Sequence, residues 1–169
     1  SENNVEQLPD TTGMKNEVVL FKGQRNRYDK AFVTAGAKLV LYGSEHEGTT
    51  DELEAVINEN TACVAFVIMP FGLHGVGLEE TIRVAHERGV PVIVDAAAEL
   101  PPRANLSKFH KMGADMVAFS GGKGIGGPQS SGLLAGKADL VEAAVMNSLN
   151  LDSSVAGIGR PMKVSKENI

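Results

Sequence analysis

Apolar positions along the chain follow two alternating rhythms. Short runs rich in β-branched residues, Glu17 to Phe21, Lys38 to Tyr42, Ala62 to Met69, Val90 to Val94 and Met116 to Phe119, predict strands. Between them, apolar residues recur at helical spacing. Asn26 to Gly36 is amphipathic and stops at a glycine; Thr50-Asp51-Glu52-Leu53 opens a helix with a capping-box pattern and an inward face of Leu53, Val56 and Ile57. Leu78 to Arg88 places Leu78, Ile82 and Ala85 on one face and is closed by Gly89 before Pro91. The alternation predicts an α/β fold, a mostly parallel sheet with helices on both faces. Function is then expected at the C-terminal ends of the strands.

After Phe119 the rhythm breaks. The run Gly132-Leu133-Leu134-Ala135-Gly136 follows too closely for a helical crossover, so it is expected to return antiparallel. A helix from Ala138 to about Asn147 and a polar, glycine-punctuated tail complete the chain. Its 169 residues support one domain, 1–150, with 151–169 read as a linker.

Composition narrows the function classes. A formal charge of -5 with scattered Lys and Arg provides no basic stripe, which argues against a nucleic-acid partner. Cys63 is the only cysteine and lies inside an apolar run, so no intrachain disulfide forms and a buried, inert thiol in a reducing compartment is expected. No apolar stretch approaches the ~20 residues of a membrane span, and Ser1-Glu2-Asn3-Asn4-Val5-Glu6 lacks a signal pattern. The expectation is a soluble cytoplasmic protein.

The chemistry concentrates in Ser120-Gly121-Gly122-Lys123-Gly124-Ile125-Gly126-Gly127-Pro128-Gln129, a lysine set in glycines directly after an apolar strand. Glycine permits sharp backbone bends and leaves room for a ligand beside a working amine, and lysine forms Schiff bases when its pKa is lowered. Gly122, Gly124 and Gly127 match the dinucleotide fingerprint in form only, because Pro128 follows where a helix should open. A Walker loop fails because glycine follows Lys123 and Val117 occupies the first-glycine position. Asp95 ends the run Val90-Pro91-Val92-Ile93-Val94 and is either a loop-bracing carboxylate or a ligand contact. An amine and a carboxylate on neighbouring strand ends suit pyridoxal phosphate, one holding the aldehyde and the other keeping the pyridine nitrogen protonated. Ser120 is a turn hydroxyl or a phosphate contact. Arg25, Asn26 and Arg27 form a solvated surface cluster or an anion site at a helix start. His74, after the strongest strand, is a plain loop residue or a cofactor contact. His46, His86 and His110 lack ligand spacing, and no metal site is expected.

Taken together, Leu8-Pro9-Asp10-Thr11-Thr12-Gly13-Met14-Lys15-Asn16-Glu17, Val94-Asp95-Ala96-Ala97-Ala98-Glu99, Phe119-Ser120-Gly121-Gly122-Lys123 with Gly127-Pro128-Gln129, and Gly157-Ile158-Gly159-Arg160-Pro161-Met162-Lys163 resemble the pyridoxal-phosphate enzymes that include selenocysteine synthase (seryl-tRNA selenium transferase) and the D-glucosaminate-6-phosphate ammonia-lyases. The lyase branch is the more similar. The resemblance implies the large domain of the aspartate-aminotransferase-like fold (fold type I), with Lys123 carrying the Schiff base, Asp95 at the pyridine nitrogen and Ser120 on the phosphate side. It also implies a phosphate-binding segment before this chain, a small domain after it and a homo-oligomer with a shared active site. Relatives often carry a ring-stacking histidine in a Gly-His context where this chain reads Lys22-Gly23-Gln24, which places Gln24 at the cofactor.

The activity so implied is α-proton removal from an amino-acid-like substrate by the freed Lys123 amine, leading to elimination and deamination. A phosphorylated amino-sugar acid suits the lyase branch. Arg160 and Lys163, or Arg25 and Arg27, would hold its carboxylate or phosphate. A selenium-transferase-like or aminotransferase-like enzyme is the alternative, and a catalytically silent domain used for assembly or binding is the rival from another class.

Overall fold

The computed structural model describes residues 2–69, 75–148 and 157–162. Six strands form one sheet in the order β2-β1-β3-β4-β5-β6: β1 Glu17–Phe21, β2 Lys38–Tyr42, β3 Thr61–Val67, β4 Val92–Asp95, β5 Met116–Ser120 and β6 Gly132–Gly136. All neighbours pair in parallel except β5 and β6, which are antiparallel as the short connection requires. The helices are α1 Glu2–Gln7, α2 Lys30–Thr34, α3 Thr50–Val56, α4 Leu78–Glu87, α5 Asn105–Lys111 and α6 Ala138–Met146.

Helices lie on both faces, but unequally. On one face Val19, Phe21, Val64, Val92, Val94, Val117 and Phe119 pack with Leu53, Ile82, Ala85 and Phe109 from α3, α4 and α5. On the other, Val18, Leu20, Cys63 and Ala65 meet Phe32 of the short α2. Cys63 is buried as expected, and burial pushes its thiol up to about 12.

Local chemistry explains the boundaries. Helix α3 is capped by Thr49, one residue before the expected start: its hydroxyl accepts the Glu52 N–H while Glu52 Oε2 accepts the Thr49 N–H at 2.9 Å. Helix α4 ends in a turn in which the Val90 N–H donates to the Ala85 carbonyl, with Gly89 at φ +67°. The amphipathic stretch after Asn26 splits into a 3-10 turn, Arg27–Asp29, and α2, so it is shorter than a continuous helix. Helices α1 and α5 were not foreseen; α5 has only Phe109 as a fully buried anchor.

At the N-terminal edge of the sheet, Asp115 is 1% exposed and ties three elements together. Its Oδ2 accepts the Val92 N–H at 2.7 Å and lies 2.7 Å from His86 Nε2, while Oδ1 lies 2.6 Å from Lys137 Nζ. Burial pushes this carboxyl up, but Lys137, His86 and the Val92 amide together outweigh it and hold it below the usual carboxylate range. At the opposite edge, the Phe21 ring closes the end of β1. A Cβ added to Gly23, Gly43, Gly48 or Gly75 would come within 2.6 to 2.9 Å of that ring, so four loop positions must be glycine for the loops to converge on it.

Candidate cofactor site

The sheet changes direction between β1 and β3: β2 lies beyond β1 on one side, and β3, β4 and β5 follow one another on the other. A crevice outside the strand ends at such a point is where open α/β sheets bind ligands. A cavity of about 230 Å³ lies there, lined by Asn26 and Asp29 from the β1 loop, Phe32, Val67, Asp95 and Ala118.

Asp95 reaches it because β4 alternates buried and half-buried residues, so Ile93 and Asp95 share the thinly covered face. Its Oδ1 accepts the Ala97 N–H at 3.0 Å, which orients the carboxylate and leaves Oδ2 for another partner. On β5, Ala118 stands opposite Asp95, and the Ser120 N–H donates to the Ala97 carbonyl at 3.2 Å. The alternation of β5 puts Ser120 on the same face as Ala118. Lys123 follows in the turn after β5, exposed, with its carbonyl accepting the Gly126 N–H at 2.9 Å. The site residues of β4 and β5 therefore leave adjacent parallel strands at one edge. Lys123 does not itself line the cavity.

The glycines around Lys123 serve a purpose different from the one expected. The space left by their missing side chains is filled by the chain itself: a Cβ on Gly121 would lie 2.1 Å from Ser131 Oγ, on Gly122 2.6 Å from Gln129 Cα, and on Gly124 2.3 Å from the Leu100 carbonyl oxygen. They let the lysine turn pack against the loop that follows Asp95 and against residues 129–131.

Gln24 is buried, at 6% exposure, and its Oε1 accepts the Val67 N–H at 3.2 Å. Arg25 is engaged with the buried Asp29. Asn26 caps its turn with its own side chain, Oδ1 accepting the Tyr28 N–H at 2.8 Å, while Asp29 Oδ1 accepts the Asn26 N–H at 3.2 Å. The expected anion site at this turn start is thus occupied by the protein's own acceptors; Arg27 is exposed. The spacing Asn26-x-x-Asp29 before a helix was the sequence signal for this cap. Arg160 is half-buried in a turn tied to the end of α6, where the Gly159 N–H donates to the Asn147 carbonyl at 3.0 Å. His74 and Lys163 lie outside the described residues, as does most of 151–169.

Residues 24–153 match the aminotransferase class-V family. The chain belongs to that family. This aminotransferase class-V chain is 36% identical over 173 residues to a 5'-C-glycyluridine monooxygenase-decarboxylase from Streptomyces sp, covering 98% of the chain and 40% of that protein. It is 34% identical over 170 residues to a D-glucosaminate-6-phosphate ammonia lyase from Salmonella typhimurium (96% and 42%), and 29% identical over 147 residues to an L-seryl-tRNA(Sec) selenium transferase from Mannheimia succiniciproducens (75% and 31%). Among solved structures, a D-glucosaminate-6-phosphate ammonia-lyase superposes with a TM-score of 0.83 at 32% identity over 99% of this chain and 44% of that one. The chain therefore spans less than half the length of these relatives. The expected fold, the family and its dependence on pyridoxal phosphate all hold. Among the described residues no helix is long and apolar enough to cross a membrane.

Proposed function

We propose that this class-V chain is the cofactor-binding core of a pyridoxal-phosphate-dependent lyase that deaminates an amino-acid-like substrate, with phosphorylated amino-sugar acids as the substrate class. The observation that carries this is the placement of Asp95, Ser120 and the Lys123 turn on adjacent strand ends beside the point where the sheet reverses. A carboxylate, a hydroxyl and a primary amine in that arrangement fit the ring nitrogen, phosphate and aldehyde of pyridoxal phosphate. When bound, that group withdraws electrons from the carbon bearing the substrate amine.

The chain's own residues do the rest. Asp95, its Oδ1 held by the Ala97 N–H, keeps a proton on the ring nitrogen through its second oxygen. Ser120 Oγ donates to the phosphate. Lys123 Nζ would hold the cofactor's aldehyde and, once freed by substrate, would take the proton from the substrate α-carbon. The packing of Gly121, Gly122 and Gly124 fixes the backbone from which that amine reaches. Arg27, exposed on the β1 loop, Arg160 of the C-terminal turn and, by its sequence position alone, Lys163 are the candidates for the substrate carboxylate or phosphate. The enzyme acts as a cytoplasmic homo-oligomer.

The test uses the full-length protein with added pyridoxal phosphate. Visible absorbance, a borohydride-stable adduct that peptide mapping assigns to Lys123, and ammonia release from phosphorylated amino-sugar acids are expected. A colourless protein without the adduct refutes the enzyme and leaves a silent fold. A second reading follows from the Streptomyces relative, a decarboxylase by name: carbon dioxide release without ammonia selects it.

A further inference from the structure

Strands β1 and β3 part early. Their ladder ends at Leu20 and Ala65, whereas β3 runs on to Val67, which stands opposite Asp95. Along β3 the amides alternate: Val64 donates to the Pro91 carbonyl and Ile68 to the Asp95 carbonyl, both at 2.9 Å, so the Val67 N–H faces the side that β1 has left. An amide stranded in such a place, with no partner in the sheet, is destabilising. Gln24 fills the gap with its side chain, Oε1 accepting that N–H at 3.2 Å from a 6% exposed position.

The turn that carries Gln24 is itself fastened. Asn26 Nδ2 donates to the Gln24 carbonyl at 3.3 Å, and the Asn26 and Asp29 cap holds the following residues. A neutral amide suits this position, because its acceptor does not titrate near neutral pH. Two hydrogen bonds at consecutive residues therefore join Gln24 to the backbone of Asp95: Val67 to Gln24, and Ile68 to Asp95.

We infer that Gln24 is a positioning residue for Asp95, acting through the end of β3 rather than by lying across the cofactor ring. The inference rests on Asp95 serving the ring nitrogen. Gln24 sets where that carboxylate stands and thereby how firmly it holds the proton there.

Two variants of the full-length protein separate the effects: Gln24→Met keeps length and loses the acceptor, and Gln24→Glu keeps an acceptor for Val67. Hydrogen exchange at the Val67 amide, measured without cofactor, is expected to quicken about tenfold in Gln24→Met, in line with the loss of one net hydrogen bond, and to stay near wild type in Gln24→Glu. With pyridoxal phosphate, Gln24→Met is expected to shift the pH titration of the visible absorbance and to lower kcat roughly tenfold at nearly unchanged KM, with Gln24→Glu restoring most of both. Unchanged Val67 exchange in Gln24→Met overturns the tie. Faster exchange with an unmoved absorbance titration and kcat overturns the positioning role and leaves an edge cap. Wild-type protein that retains no cofactor sinks the functional reading and the positioning role together, and the exchange measurement still reports separately whether the tie exists.

Discussion

Gly124 lies against Leu100 so closely that a Cβ on the glycine would stand 2.3 Å from the leucine carbonyl oxygen. Leu100 belongs to the loop that leaves Asp95, and Gly124 adjoins Lys123, so this contact couples the two loops that carry the proposed chemistry. The atom in the way is backbone and cannot swing aside. Gly124→Ala is expected to lower stability by about 1–3 kcal/mol, as overpacking does, and to cut pyridoxal phosphate retention. Gly126→Ala is the control: its φ is +73° but nothing lies within 4 Å, so only the left-handed backbone cost of about 1–2 kcal/mol applies and retention survives. Denaturant melts and cofactor titration of both variants check this.

Replacing Asp95 separates cofactor binding from turnover. Asp95→Asn is nearly isosteric and can still accept the Ala97 N–H, but has no charge to hold a proton on the ring nitrogen. It should retain the cofactor and lower kcat by about two orders of magnitude or more, the scale of a lost proton-holding group. Wild-type turnover in Asp95→Asn would remove the carboxylate from the mechanism.

Acid should loosen the other end of the sheet. The Asp115 carboxyl is held below its ordinary value, so its contribution is complete above the unfolded-state pKa of about 3.9 and declines as pH falls through the lower folded value. Lys137 is shifted upward by Asp115, so its contribution persists through neutral pH and fades only above the ordinary lysine range of about 10.4. Asp115→Asn should cost about 2 kcal/mol at neutral pH, where the charge-assisted bonds are lost, and progressively less as pH falls below ~4 toward the lower folded value, through which the wild type loses them too. Denaturant midpoints across pH for the two proteins measure it.

Phe21 is 2% exposed with four glycines against its ring. Phe21→Ala is expected to cost about 3–5 kcal/mol. Gly48→Ala, whose Cβ would meet the ring at 2.7 Å, should cost about 1–3 kcal/mol. Thermal or urea unfolding distinguishes the two.

Five strands and the antiparallel return were legible because short continuous β-branched runs, and the few residues between Phe119 and Gly132, leave little choice. Helix α5 was not: its Asn105–Lys111 stretch buries Phe109 alone and carries no clear periodicity. Asp95, Ser120 and Lys123 announced themselves by following apolar runs. Gln24 could be marked only through the resemblance as a candidate cofactor residue, and not as the partner of Val67, since that bond spans 43 positions. Asp115, His86 and Lys137 gave no sign of meeting for the same reason.

The residue pattern alone thus set the alternation of strands and helices, the sheet edge where chemistry belongs and the residue types available there, because periodicity and turn chemistry act over a few neighbours. Folding in three dimensions settled which neighbours meet. It closed the space beside the glycines with Ser131, Gln129 and Leu100, and set Gln24 under the end of β3. Those outcomes depend on where separate strands stop relative to one another, and a hydrogen bond or a steric overlap is decided by fractions of an ångström that local pattern does not encode.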